Sequence, residues 1–580
     1  MRLGSRAKIL FLLFVVLGVY YPALFGGVNS VDDYNMIQTL AEEARTNWRA
    51  VFLPSGGYYY RPLLWSTYIA DKHFWDLTES FMHLENILLH AVNAVLVFLL
   101  ALQIFSHEDE RRLELPLLSA LLFALHPINT ESVSWISGRT DPLATVFILT
   151  SAIFLFKGLR ENRYRDYILA TFFLLMGCLC KEVAVFFLPA ACFIVLFHHN
   201  GVDNATHRVF SADKMRRLGI LMGPFILCGF AYLFLRFSSA PSAATSIFKM
   251  FVGRNGTVLN TLRISFKVFG FYVKKLFLPL PLNFAIFQIN NNYFWLGLAV
   301  VALLLILVLV RKRGTLLSLA VTVAVLITPA ILVTLSRVAW TPLAERYLYL
   351  PSAFFAIAVV GSLQALGNRF GHESASRVLV MLLLVPATFF SAQRNIIWQS
   401  NVTLYSDTLE KSPNSRLIKN ELAIALANEG RTAEAERQLE SAKKQDPGKT
   451  FALPFVNQAN LKIGAGDLDG ARKLILSVVQ DDATADPAAL RTLAKIDEQR
   501  LFRKNTPAVT KDIYREIGQT HDRLYLKTKN PADLYRSGQM ALFLGEKERA
   551  GTLFQRAAAE APDDAYFKPA AKKLAEKLKR

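Results

Sequence analysis

Cysteine is scarce in this chain: four in 580 residues. Cys178, Cys180, Cys192 and Cys228 all lie in or beside apolar runs, and the polar tail beyond Gln393 has none. That excludes a disulfide framework in the tail. Metal-ligand spacing is missing as well. Cys178-x-Cys180 has neither His nor further Cys close by, and reads as small apolar packing. Charge is thin at 19%, with no charged residue between Lys8 and Asp32. Apolar residues fill the space, 53% of the chain with a mean hydropathy of +0.30, more than a soluble protein of this length carries. Acidic residues are outnumbered, 46 against 65 basic, for a net charge of +19. Much of that excess sits in short loops between apolar runs, where it sets membrane topology. Membrane lipids are therefore expected partners, and nucleic acid is not.

What is present is a series of long apolar segments: 9–25, 83–105, 115–125, 142–156, 167–180, 183–197, 218–235, 294–310, 316–335, 347–366 and 378–391. They make about eleven crossings of roughly 20 residues each. The first is read as an uncleaved span with its N-terminus in the cytoplasm, not as a removable signal. Arg111-Arg112, Lys157 to Arg165, Arg208 to Arg217 and Arg311-Lys312-Arg313 then all fall inside, as the charge bias requires. The stretch 264–282 carries Lys267, Lys274 and Lys275 among aromatics and reads as an amphipathic helix on the outer interface.

The outer side collects the chemistry. Asp32 and Asp33 follow the first span directly, and carboxylates at that depth are a functional hypothesis by default. One of them suits a general base; the competing role is a helix N-cap. His83, Asn86, His90 and Asn93 recur along one face of the second span, facing either a ligand cavity or neighbouring helices. Between apolar runs lies the dense polar segment His126 to Pro142, holding Glu131, Arg139 and Asp141. Lys181-Glu182, Arg337 and Arg346 stand at other outer ends of spans. Arg139, Lys181, Arg337 and Arg346 are placed where a lipid phosphate head would sit, and Arg suits bidentate phosphate contact; snorkelling is the alternative for each. His126-Pro127 either lines a ligand site or caps the span before it. A divalent ion on Asp32, Asp33 and Glu131 is conceivable, but no spacing demands it.

After Gln393 the composition turns polar, Ala-rich and helical, with internal repeats. Asn414 to Pro447, Gln458 to Arg472 and Ser537 to Pro562 share a pattern of small residues, a Gly after the first helix and, in the first and third, a closing Pro. The stretch 488–530 fits it less well. The expected architecture is all-α: a polytopic membrane helix bundle over 1–392, then a tetratricopeptide-repeat α-solenoid over 393–580. An odd number of spans places that solenoid outside the cytoplasm, with Asp32.

Val31-Asp32-Asp33, Tyr59-Tyr60-Arg61-Pro62-Leu63, His83-Leu84-Glu85-Asn86, His126 to Val133 with Gly138-Arg139-Thr140-Asp141, Lys181-Glu182, and Glu345 to Pro351 occur in that order. The chain thereby resembles the transmembrane and tetratricopeptide-repeat O-mannosyltransferases and their bacterial relatives, within the GT-C class of lipid-linked sugar transferases. The resemblance implies an inverting enzyme that moves sugar from a polyprenyl-phosphate donor to an acceptor on the outer side. It maps the base to Asp32, with Asp33 beside it. Arg61, His83, His126, Glu131 and Asp141 are assigned to sugar or acceptor, and no cofactor is required. The repeats imply an exported protein acceptor, taken on Ser or Thr. Transfer to a lipid or glycan, or a non-enzymatic membrane scaffold, are the alternatives. A bacterial inner membrane is expected, and the endoplasmic reticulum is the other compartment that fits.

Overall fold

The computed structural model describes residues 5–41, 51–53, 59–105, 114–197, 212–239, 258–310, 314–336, 339, 341–445, 451–482, 484–503, 506–563 and 565–578. The described residues are helices joined by turns, with one isolated antiparallel bridge between Ile286 and Leu343. Two compact units divide the chain, Met1–Ser412 and Pro413–Arg580. The change of composition at 392/393 falls inside the Glu373–Ile397 helix. The Asn401–Lys411 helix packs on the first unit through buried Leu404 and Tyr405, so the division comes later.

Each apolar segment anticipated as a crossing is helical. Among the described residues, seven helices are long and apolar enough to cross a membrane: Ser5–Phe25, Glu79–Phe105, Ile136–Glu161, Leu218–Ser238, Thr315–Ser336, Glu345–Phe370 and Glu373–Ile397. The chain is an integral membrane protein on that ground. The other four are shorter. Glu114–Ala124 and Phe187–Phe197 have 11 residues, and Tyr164–Cys180 and Tyr293–Leu309 have 17. An 11-residue helix rises only about 16 Å, about half the hydrocarbon thickness. The first ends before His126-Pro127, where the chain turns into the polar segment.

Glu79–Phe105 is central, packed on Ser5–Tyr20, Glu114–Ala124 and Thr140–Glu161. Its polar stripe holds the bundle together. Asn86 Nδ2 donates to Trp135 O at 2.8 Å, and Asn93 Nδ2 donates to Pro142 O at 2.8 Å. His90 meets Tyr349 Oη at 2.7 Å and Ala124 O at 3.0 Å. In a dry interior each of these groups needs a partner, and neighbouring helices supply them.

Val258–Phe277 is not among the seven, yet it belongs to the bundle rather than only to an interface. It buries Val268 to Tyr272, Lys275 and Leu276. It meets Tyr293–Leu309 backbone to backbone at Gly270 and Gly297. A Cβ on Gly297 would strike Phe266 O, and one on Gly270 would strike Tyr293 O.

In the second unit, helices pair as Arg416–Asn428 with Thr432–Lys444, Leu453–Gly464 with Leu468–Leu476, Pro487–Arg500 with Pro507–Thr528, and Pro531–Phe543 with Lys547–Glu560. Lys568–Leu578 covers the last pair. Gly430, Gly466 and Gly545 turn three of these hairpins at φ of 78°, 81° and 82°, a conformation that other residues resist. The third hairpin has no such Gly, and its second helix is long at 22 residues. Its starts are nevertheless marked in the sequence: Asp486-Pro487 and Thr506-Pro507 each place a capping side chain before a first-turn Pro.

Gly297→Ala is expected to destabilise the chain by about 1–3 kcal/mol through overpacking, read as earlier thermal unfolding in detergent. Gly219→Ala, with nothing within 4 Å of its new Cβ, is the control that leaves unfolding unchanged.

Candidate active site

From the first helix the chain passes through a 3-10 turn, Tyr21–Phe25, and reaches the acidic pair just before the Asp33–Ala41 helix. The two carboxylates have different surroundings. Asp33 is buried, 1% exposed. Its Oδ2 accepts Asn29 N–H at 3.0 Å, and its Oδ1 accepts both the N–H of Ser137 at 2.8 Å and the Ser137 hydroxyl. Burial pushes its pKa up to about 6, against the pull of the Ser137 and Asn29 bonds and with a push from the Asp32 charge. Asp33 thereby ties the acidic loop to the polar segment. Asp32 is exposed, and its carboxylate makes no hydrogen bond or ion pair with a described residue. The protein around it still removes enough water to raise its pKa, while Arg346 and Arg61 pull it down. These two guanidiniums are thus the cations that Asp32 feels.

Each nearby cation has an acid of its own. Arg346 Nη1 meets Glu131 Oε1 at 2.6 Å. The other Glu131 oxygen accepts the N–H groups of Glu345 and Arg346 at 3.0 and 3.1 Å. The Arg346 guanidinium also lies over Trp135 and Tyr347, 5.1 and 5.0 Å from the ring centres. Lys181 meets Asp141 at 2.6 Å. Burial lowers its pKa; Asp141 opposes that, and Arg61 and Arg346 add to it. Lys181 therefore lies within electrostatic reach of both Arg61 and Arg346. Arg61 grips Glu182 with Nε at 2.9 Å and Nη2 at 2.7 Å and lies over Tyr59. The side chains of Arg61 and Arg346 are 16% and 11% exposed. The result is a shelf of two partly accessible guanidiniums and the buried Lys181 beside one unpaired carboxylate. Such a shelf favours an anion, and such a carboxylate can take a proton.

Three expected site residues lie elsewhere. Arg139 is sealed, 0% exposed. It contacts Asp71 at 2.6 Å, Glu85 at 2.9 Å, Asn86 Oδ1 at 2.9 Å and Met82 O at 3.0 Å. Every arm of the fork is engaged, so it locks Pro62–Trp75 to Glu79–Phe105 instead of facing a phosphate. His126 takes the capping role. Its Nδ1 accepts Ile128 N–H at 3.3 Å and its Nε2 donates to Leu276 O at 2.9 Å. Burial lowers its pKa to about 4, the Leu276 carbonyl opposing, so the imidazole is neutral. His83 is buried, 1% exposed, against the acidic loop, where a Cβ on Gly26 would meet its Nε2 at 3.1 Å. Arg337 is outside the described residues. No group of three or more His, Cys, Asp or Glu able to hold a metal occurs among the described residues, and the oxygens of Asp33 and Glu131 are committed to the bonds above.

The sequence reading gave no role to several residues that the structure brings in. Glu182 holds Arg61. Glu345 pairs with buried Lys275 at 2.6 Å and accepts Asn283 N–H at 2.9 Å. Asp71 and Glu85 neutralise Arg139. A lysine inside Phe269-Gly270-Phe271-Tyr272-Val273-Lys274-Lys275 was the available signal, because such a charge in an apolar helix needs an acid near it.

A family model described as dolichyl-phosphate-mannose-protein mannosyltransferase matches residues 67–212. A protein O-mannosyl-transferase of Caenorhabditis elegans is 25% identical over 396 residues, 67% of this chain and 54% of the relative. One of Mus musculus is 24% identical over 455 residues, 70% of this chain and 45% of the relative. The chain spans about half the length of the curated relatives it matches. An archaeal oligosaccharyltransferase from Archaeoglobus fulgidus, solved with an inhibitory peptide and a dolichol phosphate, aligns at a TM-score of 0.37 and 12% identity, over 67% of this chain and 55% of that one. That likeness is too slight to argue from. The resemblance read from the motifs is thus borne out in sequence: this chain is similar to protein O-mannosyltransferases.

Arg139→Leu is expected to leave Asp71 buried without a cation and Glu85 without its partner, and to destabilise the chain by about 3–5 kcal/mol. Folded yield on size-exclusion chromatography should collapse. Arg346→Gln keeps Glu131 bonded by two backbone N–H groups, so its folded yield should stay close to wild type.

Proposed function

We propose that the chain is an inverting membrane glycosyltransferase with Asp32 as its general base. It moves a sugar from a polyprenyl phosphate to a hydroxyl, on Ser or Thr of an exported protein. The observation that carries this reading is the asymmetry of the acidic pair. Asp33 is fixed by hydrogen bonds, while Asp32, held beside it, is open and unpaired within reach of Arg61 and Arg346. A base must be held still and keep its lone pairs available, and this loop meets both demands.

In the reaction the acceptor oxygen attacks the anomeric carbon and its proton passes to Asp32. The bond from that carbon to the phosphate oxygen breaks, and the polyprenyl phosphate leaves with the electron pair. A phosphate is a weak base, so no general acid is needed. Negative charge grows on the leaving oxygen, and preorganised cations stabilise it there. Arg61, Lys181 and Arg346 fill that role. Asp33 keeps Asp32 oriented, while Glu131, Asp141 and Glu182 hold the cations in place. Inversion follows from a single in-line displacement.

The bias of the short basic loops supports an N-terminus in the cytoplasm with Asp32 on the opposite face. A bacterial inner membrane facing the periplasm suits this topology, and the endoplasmic-reticulum membrane facing the lumen has the same sidedness. The repeat unit recruits the acceptor, since stacked helical pairs offer extended concave surfaces to peptides.

Proteoliposomes charged with a panel of polyprenyl-phosphate sugars and exported protein provide the test. Wild type is expected to label protein with one of the sugars. Asp32→Asn, folded to the same extent, should lose about 10²–10⁴ of that rate. Equal transfer by both would remove Asp32 as the base.

A further inference from the structure

The acidic loop is pinned from a second direction, by residues that the reaction does not use. Gly27 N–H donates to Gln399 O at 3.3 Å. Val28 O accepts Asn401 Nδ2 at 2.8 Å, and Asn401 Oδ1 accepts Asn29 Nδ2 at 3.3 Å. The Tyr405 hydroxyl shares a 2.7 Å bond with Ser30 Oγ and lies 3.3 Å from Asn29 Oδ1. Asn29 is the hub. It is buried, its side chain accepts Val31 N–H at 2.9 Å, and its own N–H donates to Asp33. Asn401 and Tyr405 are one helical turn apart, so both reach the loop from one face of the Asn401–Lys411 helix.

That helix is itself anchored. Ser400 caps its start by accepting Val402 N–H at 3.1 Å. Asp407 meets Arg394 of the preceding helix at 2.5 Å. Ser412, just past its end, donates to Ala285 O at 3.1 Å and accepts Asn283 Nδ2 at 3.0 Å. Asn283 N–H in turn bonds Glu345, next to Arg346. One short segment therefore touches the loop that carries Asp32 and, through Asn283, is linked to Glu345 beside Arg346.

We propose that Asn401 and Tyr405 are positioning residues for the transfer reaction, setting where Asp32 stands relative to Arg346. Neither touches Asp32 itself; both act through Val28, Asn29 and Ser30. The proposal rests on the reading of Asp32 as base. Their position in the chain gives the arrangement a second meaning. Ser412 is the last residue of the membrane unit and Pro413 the first of the repeat unit, so the element that steadies the base is also the one through which the chain passes to the repeats.

The test uses the full chain in proteoliposomes with Tyr405→Phe and Asn401→Asp. The first keeps the ring and removes the hydroxyl; the second keeps an acceptor for Asn29 and removes the donor to Val28. Each is expected to lower kcat by about 10–100-fold, the scale of a small misplacement of reacting groups. KM for the donor and the unfolding temperature should remain near wild type. Added to Asp32→Asn, neither should lower the residual rate further, because both act through Asp32. Unchanged kcat in both variants while Asp32→Asn is inactive would overturn the positioning role and leave the base assignment standing. A rise in KM with a fall in unfolding temperature would show a merely structural role and also overturn it. Full activity in Asp32→Asn would overturn the base assignment, and positioning with it.

Discussion

A buried charge in an apolar bundle needs a counter-charge or a set of hydrogen bonds to its charged form, and this unit is organised around that constraint. Taking one ion out of water is expensive enough that a buried charge with neither is not tolerated. Arg139 draws in Asp71 and Glu85, Lys275 draws in Glu345, Arg346 draws in Glu131, Lys181 draws in Asp141, and Arg61 draws in Glu182. Each pair joins elements far apart in the chain, so charge pairing decides which helix ends meet. Asp32 departs from the pattern. It keeps its charge exposed, beside cations already neutralised by other acids, and that departure marks it out.

The pairs differ in how sealed they are, and the gradient matters for chemistry. Arg139 with Asp71 and Lys275 with Glu345 are closed to solvent and act as struts. Arg61 and Arg346 keep part of their surface accessible, and aromatic rings support both. A cation that is held but not enclosed can add a ligand's negative charge without rearranging. Sealed struts together with partly open cations are what a phosphate site would need.

Much of the fold was legible in the sequence because hydropathy and charge bias act over whole segments. Apolar runs identified the helices, and glycines at 430, 466 and 545 marked the repeat turns. The third hairpin fitted the pattern less well because its turn carries no glycine, although Asp486-Pro487 and Thr506-Pro507 mark the starts of its helices. Of the site, the motif residues Asp32, Glu131, Asp141, Lys181 and Arg346 do converge. Arg139 was expected at a phosphate, and His126 at either a ligand site or a cap, because a sequence names a polar group at a span end but not whether the fold leaves a partner within reach. Asp71 and Glu85 answer that for Arg139, and Leu276 and Ile128 answer it for His126. The clamp from Asn401 and Tyr405 was invisible because it joins residues more than 370 positions apart.

The pH dependence of kcat/KM for sugar transfer tests the central claim most directly. A base works ionised, so the rate should be present above the pKa of Asp32 and be lost as pH falls through it. Burial raises that pKa, so the acid limb should lie above the range of an ordinary carboxylate. Arg61→Gln removes a charge that pulls Asp32 down, and should move the limb to higher pH. Asp33, whose pKa is set chiefly by burial and by its Ser137 and Asn29 bonds, predicts no such move. A limb that shifts upward in Arg61→Gln is the result this account requires. A profile flat down to the ordinary carboxylate range, or a limb indifferent to Arg61, would contradict it.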